Sequence, residues 1–209
     1  MWPGSDETHK LLKNAGDGDA DAVNRLMERH RRSLRRMVEM RLDRALAKRV
    51  DANDVVQDVL LEASQRLADY IRDSKMPFHL WLRQLAKNRV IDMHRRHRGA
   101  QRRSIDRERP LASPEFADRS SIDLAAQLPD RELTPAAANI RGELEHRFIR
   151  ALDDLTDEEC ETILMRHSEQ LGNSEVALAL GITPPAAGMR YIRALRRLRG
   201  ILGEKPSLG

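Results

Sequence analysis

The chain has 209 residues, with 37 Lys and Arg against 33 Asp and Glu, a length that allows one or two domains. Its one cysteine, Cys160, excludes an internal disulfide framework and argues against a cysteine-based zinc site. No stretch approaches the roughly 18 apolar residues that a spanning helix needs, and the opening MWPGSDETHK lacks the apolar run of a signal peptide, so a reducing, cytoplasmic setting is expected.

Helical periodicity runs through almost every long segment, and no strand or hairpin signal stands out. Val23, Leu26, Met27, Leu34, Met37 and Val38 share one helix face, with Asp19 as its N-cap. Val55, Val56, Val59, Leu60 and Leu67 mark a second helix. Phe78, Trp81, Leu82, Leu85, Val90 and Met93 mark a third, beginning near Pro77. Pro110, Pro114, Pro129 and Pro135 then punctuate a Ser/Asp/Ala-rich stretch. Such a length without periodicity is unusual inside one compact domain, and it reads as a partly disordered linker. The expectation is an all-α chain. A tail over 1–14 precedes a helical domain over 15–98. A flexible linker over 99–135 follows, then a second helical domain over 136–203 and a tail over 204–209.

The second domain carries the clearer local signals. Thr156 and Glu159 have capping-box spacing, with Leu155 and Cys160 placed to staple the same helix end. Gly172 and Asn173 break that helix, and Asn173 or Ser174 can cap the next, short one. Gly181 suits a left-handed C-terminal position. Thr183 caps a last helix that has Pro184 at its first position. A short helix, a Gly-Ile-Thr turn and a long helix have helix-turn-helix proportions. On the long helix Tyr191, Leu195, Leu198 and Leu202 form one stripe predicted to pack inward. Arg190, Arg193 and Arg197 form another, flanked by Arg196 and Arg199. Arginines in that arrangement supply the phosphate contacts that seat a helix in a groove; the alternative is a cationic, solvated face. Pro185, Ala186, Ala187, Gly188 and Met189 would face base edges. They can touch thymine methyls but offer few side-chain hydrogen bonds.

In the first domain, Asp54, Asp58 and Glu62 recur every four residues as an acidic ridge beside the valine stripe, with Gln57 next to it. Such a ridge is either a solvated face or a dock for a basic protein. The third helix ends in a basic run, and His94–Arg109 holds seven arginines against two acids, a composition suited to phosphates. Tyr70 and Phe78 flank a loop containing Lys75 and either stack on a base or belong to the core. Trp81, on the apolar stripe, reads as core. His94 and His97 lack the acid or Cys partners of a metal site and read as part of the basic patch. No phosphate-cradling Gly loop, HExxH or nucleophile-base pair is present, so neither a cofactor, a metal nor an enzyme activity is expected.

At these residues the chain resembles the sigma-70 family of bacterial RNA polymerase sigma factors, and within it the small two-domain extracytoplasmic function (ECF) group. DANDVVQDVLLEA is similar to the family's helix that docks on the clamp coiled coil of core polymerase. FHLWLRQLAKN with DMHRR is similar to its promoter-melting, minus-ten-reading region. LDDLTDEECETILMRH, NSEVALALGI and RYIRALRRLR are similar to its minus-thirty-five-reading domain. The resemblance implies polymerase docking by Asp54, Gln57, Asp58 and Glu62. It implies capture of a flipped base by the loop over 72–77. It implies minus-ten contacts by Lys75, Asn88, Arg89, Asp92, Arg95 and Arg96. Minus-thirty-five contacts fall to Thr183, Pro185, Ala186, Gly188, Met189, Arg190, Arg193 and Arg197. The implied partners are core RNA polymerase (clamp coiled coil and flap) and promoter DNA, both duplex and melted, with room for an anti-sigma factor. Where relatives carry a Gly-Thr-Val-Lys-like run, this chain has Pro185-Ala186-Ala187-Gly188, so its minus-thirty-five reading departs from the family pattern. The rival readings are a stand-alone helix-turn-helix regulator and a basic RNA-binding or nuclease-like protein.

Overall fold

A computed structural model describes residues 2–42, 46, 49–73, 75–105, 151–152 and 154–203, with side chains through 96 on the long central helix. The greater part of the expected linker, the first part of the expected second domain and the tail over 204–209 lie outside the described residues. Among the described residues every regular element is helical, and none is long and apolar enough to cross a membrane. The chain divides into two compact units, residues 1–115 and 116–209.

The first unit contains α1 (Ser5–Gly16), α2 (Ala20–Glu39), α3 (Ala52–Gln65), α4 (Leu67–Asp73) and α5 (Phe78–Ile105). Asp19 caps α2 as predicted, its carboxylate accepting from the backbone N–H groups of Asp21 (2.9 Å) and Ala22 (3.1 Å). Asp51 caps α3 in the same way through Asn53 (2.8 Å). These caps satisfy donors that a helix start leaves unpaired. α2 packs on α1, α3 and α5, and α3 packs on α5. Their shared core is Leu26, Leu34, Met37 and Val38 from α2, the α3 valines, and Phe78, Leu82, Leu85 and Val90 from α5. The apolar stripes read from the sequence are therefore the buried faces, with Val23, Trp81 and Met93 half-buried at their margins.

Three boundaries differ from expectation. Most of the expected tail over 1–14 is helical: Ser5–Gly16 form α1 and bury Thr8 and Leu11. Leu67, grouped with the second helix, starts the separate helix α4. The third helix continues to Ile105, seven residues beyond 98, the expected end of the first domain; Gly99 does not end it, and the next proline is Pro110.

Tyr70 and Phe78, for which base stacking was one reading, are core aromatics. Phe78 is buried, and the Tyr70 ring meets Phe78 edge-on at 5.3 Å and Trp81 at 4.6 Å. The Tyr70 hydroxyl donates to the Met76 carbonyl (2.9 Å), tying down the loop before α5.

The second unit contains α6 (Asp157–Ile163), a π-helical turn (Leu164–Ser168), α7 (Asn173–Leu180) and α8 (Pro184–Gly203). The predicted capping box is formed: Glu159 N–H donates to Thr156 Oγ1 (3.3 Å), and Thr156 N–H donates to the Glu159 carboxylate (3.0 Å). The helix changes pitch at Leu164, ahead of the expected break, and the chain reverses at Gln170 with φ +56°. α7 is capped at Gly172 rather than at Asn173 or Ser174; the Glu175 carboxylate accepts from Gly172 N–H (2.7 Å). Gly181 adopts the expected left-handed conformation (φ +66°), and Ile182 N–H donates back to Ala177 O (3.0 Å), closing the helix end. Thr183 then caps α8 through Ala186 N–H (3.4 Å). α8 packs on both α6 and α7.

Candidate polymerase and nucleic-acid interfaces

The acidic row lies where the α3 valines leave it. Val55, Val56, Val59 and Leu60 point into the core, so Asp54, Gln57 and Asp58 are exposed. The exposed Leu61 (58 %) joins them. The four members are not equivalent. Glu62 is bridged to Arg66 one turn on (2.7 Å). Asp58 pairs with Arg89 of α5. Asp54 makes no ion pair among the described residues. The row is thus partly neutralised from within, and its first turn keeps the unpaired charge.

The Asp58–Arg89 pair also sets the acidic row beside the basic half of α5. There Asn88, Asp92, Arg95 and Arg96 are exposed and Arg89 is half-buried. Lys75 is exposed in the loop between α4 and α5. Arg95 is loosely paired with Asp92 (4.0 Å). His94 belongs less to this patch than the sequence indicates. It is half-buried, and its Nε2 lies 3.2 Å from the Arg41 carbonyl, which can only accept, so the ring donates. The His97 side chain lies outside the described residues.

In the second unit the inward stripe of α8 includes Leu198 as predicted but is centred to one side of the stripe read from the sequence. Ala187, Ala194 and Leu198 are buried, whereas Tyr191, Leu195 and Leu202 are half-buried. The small alanines let α8 approach α6 and α7 closely. Tyr191 sits at the edge, its hydroxyl 2.7 Å from His167 Nε2 and its ring under the Arg166 guanidinium. Burial first, and then the Arg166 charge, hold the His167 imidazole below its ordinary pKa.

This packing turns two arginines of the predicted stripe sideways. Arg190 pairs with Glu158 (3.2 Å) and Arg197 with Glu159 (3.3 Å), both from the acidic first turn of α6. Burial of Glu159 opposes its ionisation. The two Thr156 hydrogen bonds, with Arg197 and Arg193 behind them, outweigh that and hold its carboxyl below the ordinary value. Arg193, Arg196 and Arg199 remain exposed, as do Thr183, Pro185, Ala186 and Met189. Gly188 has an internal role that the sequence did not reveal. A β-carbon there would come within 2.9 Å of the Asn173 amide nitrogen, which donates to the Pro184 carbonyl (3.3 Å) and links the start of α7 to the start of α8.

Residues 26–100, covering most of the first unit's helices, match the family described as Sigma-70 region 2. The RNA polymerase sigma factor NccH of Alcaligenes xylosoxydans xylosoxydans is 28% identical over 200 residues, 96% of each chain. The ECF RNA polymerase sigma factor SigD of Mycobacterium tuberculosis is 27% identical over 189 residues, 90% of this chain and 81% of that one. A probable RNA polymerase sigma factor, RfaY of Xanthomonas campestris pv. campestris, is 30% identical over 154 residues. There the match covers 74% of this chain but 34% of the relative, which is much the longer protein. Among solved structures, CnrH in complex with the cytosolic domain of CnrY has a TM-score of 0.60 at 21% identity, covering 95% of this chain and 98% of that one. The sigma factor RpoE in complex with the anti-sigma factor NepR from Bartonella quintana has a TM-score of 0.51 at 18% identity, covering 83% and 91%. The chain belongs to the sigma-70 family, in its ECF group, and its all-α fold is that of the ECF sigma factors. Sigma factors initiate transcription without being enzymes themselves.

Proposed function

We propose that the chain binds core RNA polymerase and directs promoter-specific initiation. In this reading the exposed face of α3, with Asp54, Gln57, Asp58 and Glu62, docks on the clamp coiled coil. The 72–77 loop and the later turns of α5, with Lys75, Asn88, Arg89, Asp92, Arg95 and Arg96, melt and read the minus-ten strand. α8 holds the minus-thirty-five duplex, and the second unit meets the polymerase flap. The domain roles follow the same division, with the first helical unit as sigma region 2 and the second as sigma region 4. An anti-sigma factor is part of the proposal, since RpoE, a protein of similar fold, was solved bound to the anti-sigma factor NepR.

The observation that carries the reading is one of placement. The segment matching Sigma-70 region 2 contains both an exposed acidic row and, on the helix packed against it, an exposed basic row. A stand-alone duplex-binding regulator has no use for the acidic one, because an acidic ridge repels DNA. The test is transcription from a library of genomic fragments by purified core polymerase, with and without the chain. New start sites sharing upstream sequence are expected only in its presence. Tight duplex binding with no initiation would instead select the stand-alone regulator.

A further inference from the structure

The outermost row of α8 is apolar where it begins and cationic where it ends. Ala187, Ala194 and Leu198 are the buried side. With about 100° of turn per residue, the opposite side is the row Pro185, Met189, Ile192, Arg196, spaced by four, three and four residues. Met189 is 55% exposed and Ile192 42%, among the most exposed large apolar side chains described. Nothing in the unit's own packing requires them there, since neither is part of the core. Two of the arginines read from the sequence as DNA contacts, Arg190 and Arg197, lie about 100° to one side of this row, where Glu158 and Glu159 pair with them. The tip of α8 therefore presents carbon, not hydrogen-bonding groups, to whatever lies in front of it.

We propose that this row reads the 5-methyl groups of thymines in the major groove, and that Ile192, together with Met189, determines the specificity. The inference rests on α8 being the duplex-binding helix. The major groove displays one apolar group, the thymine methyl, and apolar side chains are its complement. From Pro185 to Ile192 the helix rises about 10 Å, the height of about three base pairs at 3.4 Å each, so the row fits a short thymine-bearing stretch. Its surroundings favour DNA over a protein occupant. Arg193, Arg196 and Arg199 are exposed around it, and cations ringing an apolar strip suit phosphates on both sides of a groove. The centre of a protein interface is usually poor in charge.

The test uses the full chain assembled with core RNA polymerase. Duplexes are enriched from a random-sequence library, and in the best-bound duplex each thymine is replaced singly by deoxyuridine, which removes only the methyl. At one or more adjacent thymines the replacement is expected to weaken binding about fourfold, the factor equivalent to losing burial of one methyl at about 0.8 kcal/mol. Ile192→Ala and Met189→Ala should bring the thymine-to-deoxyuridine ratio at those positions towards one. Arg193→Ala should weaken binding to both duplexes and keep the ratio. An enriched duplex that binds equally well with deoxyuridine at every position would overturn methyl reading and leave the duplex-binding role of α8 standing. Failure to enrich any duplex would remove that role and the proposal with it. Loss of polymerase assembly in Ile192→Ala or Met189→Ala, with the thymine-to-deoxyuridine ratio retained in duplex binding by the free chain, would make the row a protein dock and likewise overturn it.

Discussion

His30 is the residue whose chemistry is most at odds with its surroundings. It is 1% exposed in the first unit, with Phe78 edge-on at 5.1 Å and Trp2 at 6.1 Å. The Thr8 hydroxyl spends its one proton on the Gly4 carbonyl (3.0 Å), so toward His30 Nε2 (3.3 Å) it can only accept. Nε2 therefore carries the imidazole proton, and buried Nδ1 is left without a partner. Protonating Nδ1 would place an unpaired donor and a charge among aromatic rings. Burial first, then the neighbouring His79 and Arg29, lower the pKa from 6.5 to about 4. The folded state thus binds fewer protons than the unfolded state between those values. Stability rises with pH through that window and is lost as pH falls from about 6.5 towards 4, by as much as about 3 kcal/mol. Both tryptophans, Trp2 and Trp81, lie in this unit, so denaturant unfolding followed by tryptophan fluorescence reports on it alone. Between pH 7 and pH 4.5 the parent should lose clearly more stability than His30→Gln. Equal losses would mean that His30 is not held neutral by the fold.

At the scale of elements, the contact between the start of α6 and the flank of α8 has a measurable consequence. Three acids, Asp157, Glu158 and Glu159, occupy the first turn of α6, where the helix dipole favours them. Glu159 is committed to the capping box, whereas Glu158 is largely exposed and, among the described residues, its side chain pairs with Arg190 alone, so Glu158→Gln separates the ion pair from the cap. An exposed pair contributes under about 1 kcal/mol, and the melting temperature should hardly move. Released, Arg190 can reach a phosphate. The slope of log affinity for duplex DNA against log salt should then steepen by about 0.9, one additional contact; an unchanged slope would leave Arg190 a structural residue. This contact also marks what was legible in the sequence. The caps at Asp19, Thr156, Gly181 and Thr183 were readable because each is decided within three or four residues. So were the apolar stripes of α2, α3 and α5. The diversion of Arg190 and Arg197 was not, because their partners lie more than thirty residues away and depend on how α8 packs. α1 was missed because it buries little beyond Thr8 and Leu11, too few positions to give a period. Gly188 reads from the sequence only as one of the residues facing base edges, since its contact with Asn173 exists only once α7 and α8 meet.

For the whole molecule, the decisive question is whether the acidic row of the first unit serves a polymerase, and the ion pairs determine which residue can answer it. Asp58 is a poor probe. Replacing it frees Arg89, a proposed minus-ten contact, and a changed phenotype would mix docking with DNA binding. Glu62 is bridged to Arg66 and has the same difficulty. Asp54 is exposed, its side chain is unpaired among the described residues, and the cap of α3 is made by Asp51. Asp54→Arg therefore tests the row with little cost to the fold: loss of a favourable charge in the first turn amounts to about 0.3–1 kcal/mol. Against a basic partner surface, charge reversal costs several kcal/mol. The variant should assemble with core polymerase at least tenfold more weakly and lose promoter-directed initiation in step, while its circular dichroism and the duplex affinity of the free chain stay near those of the parent. A stand-alone helix-turn-helix regulator predicts the opposite pattern, with regulation intact because its DNA contacts lie in the other unit. Initiation at parental levels by Asp54→Arg at limiting chain concentration would remove the acidic face from the polymerase interface and, with it, the physical reason for an exposed acidic row in a chain that handles DNA.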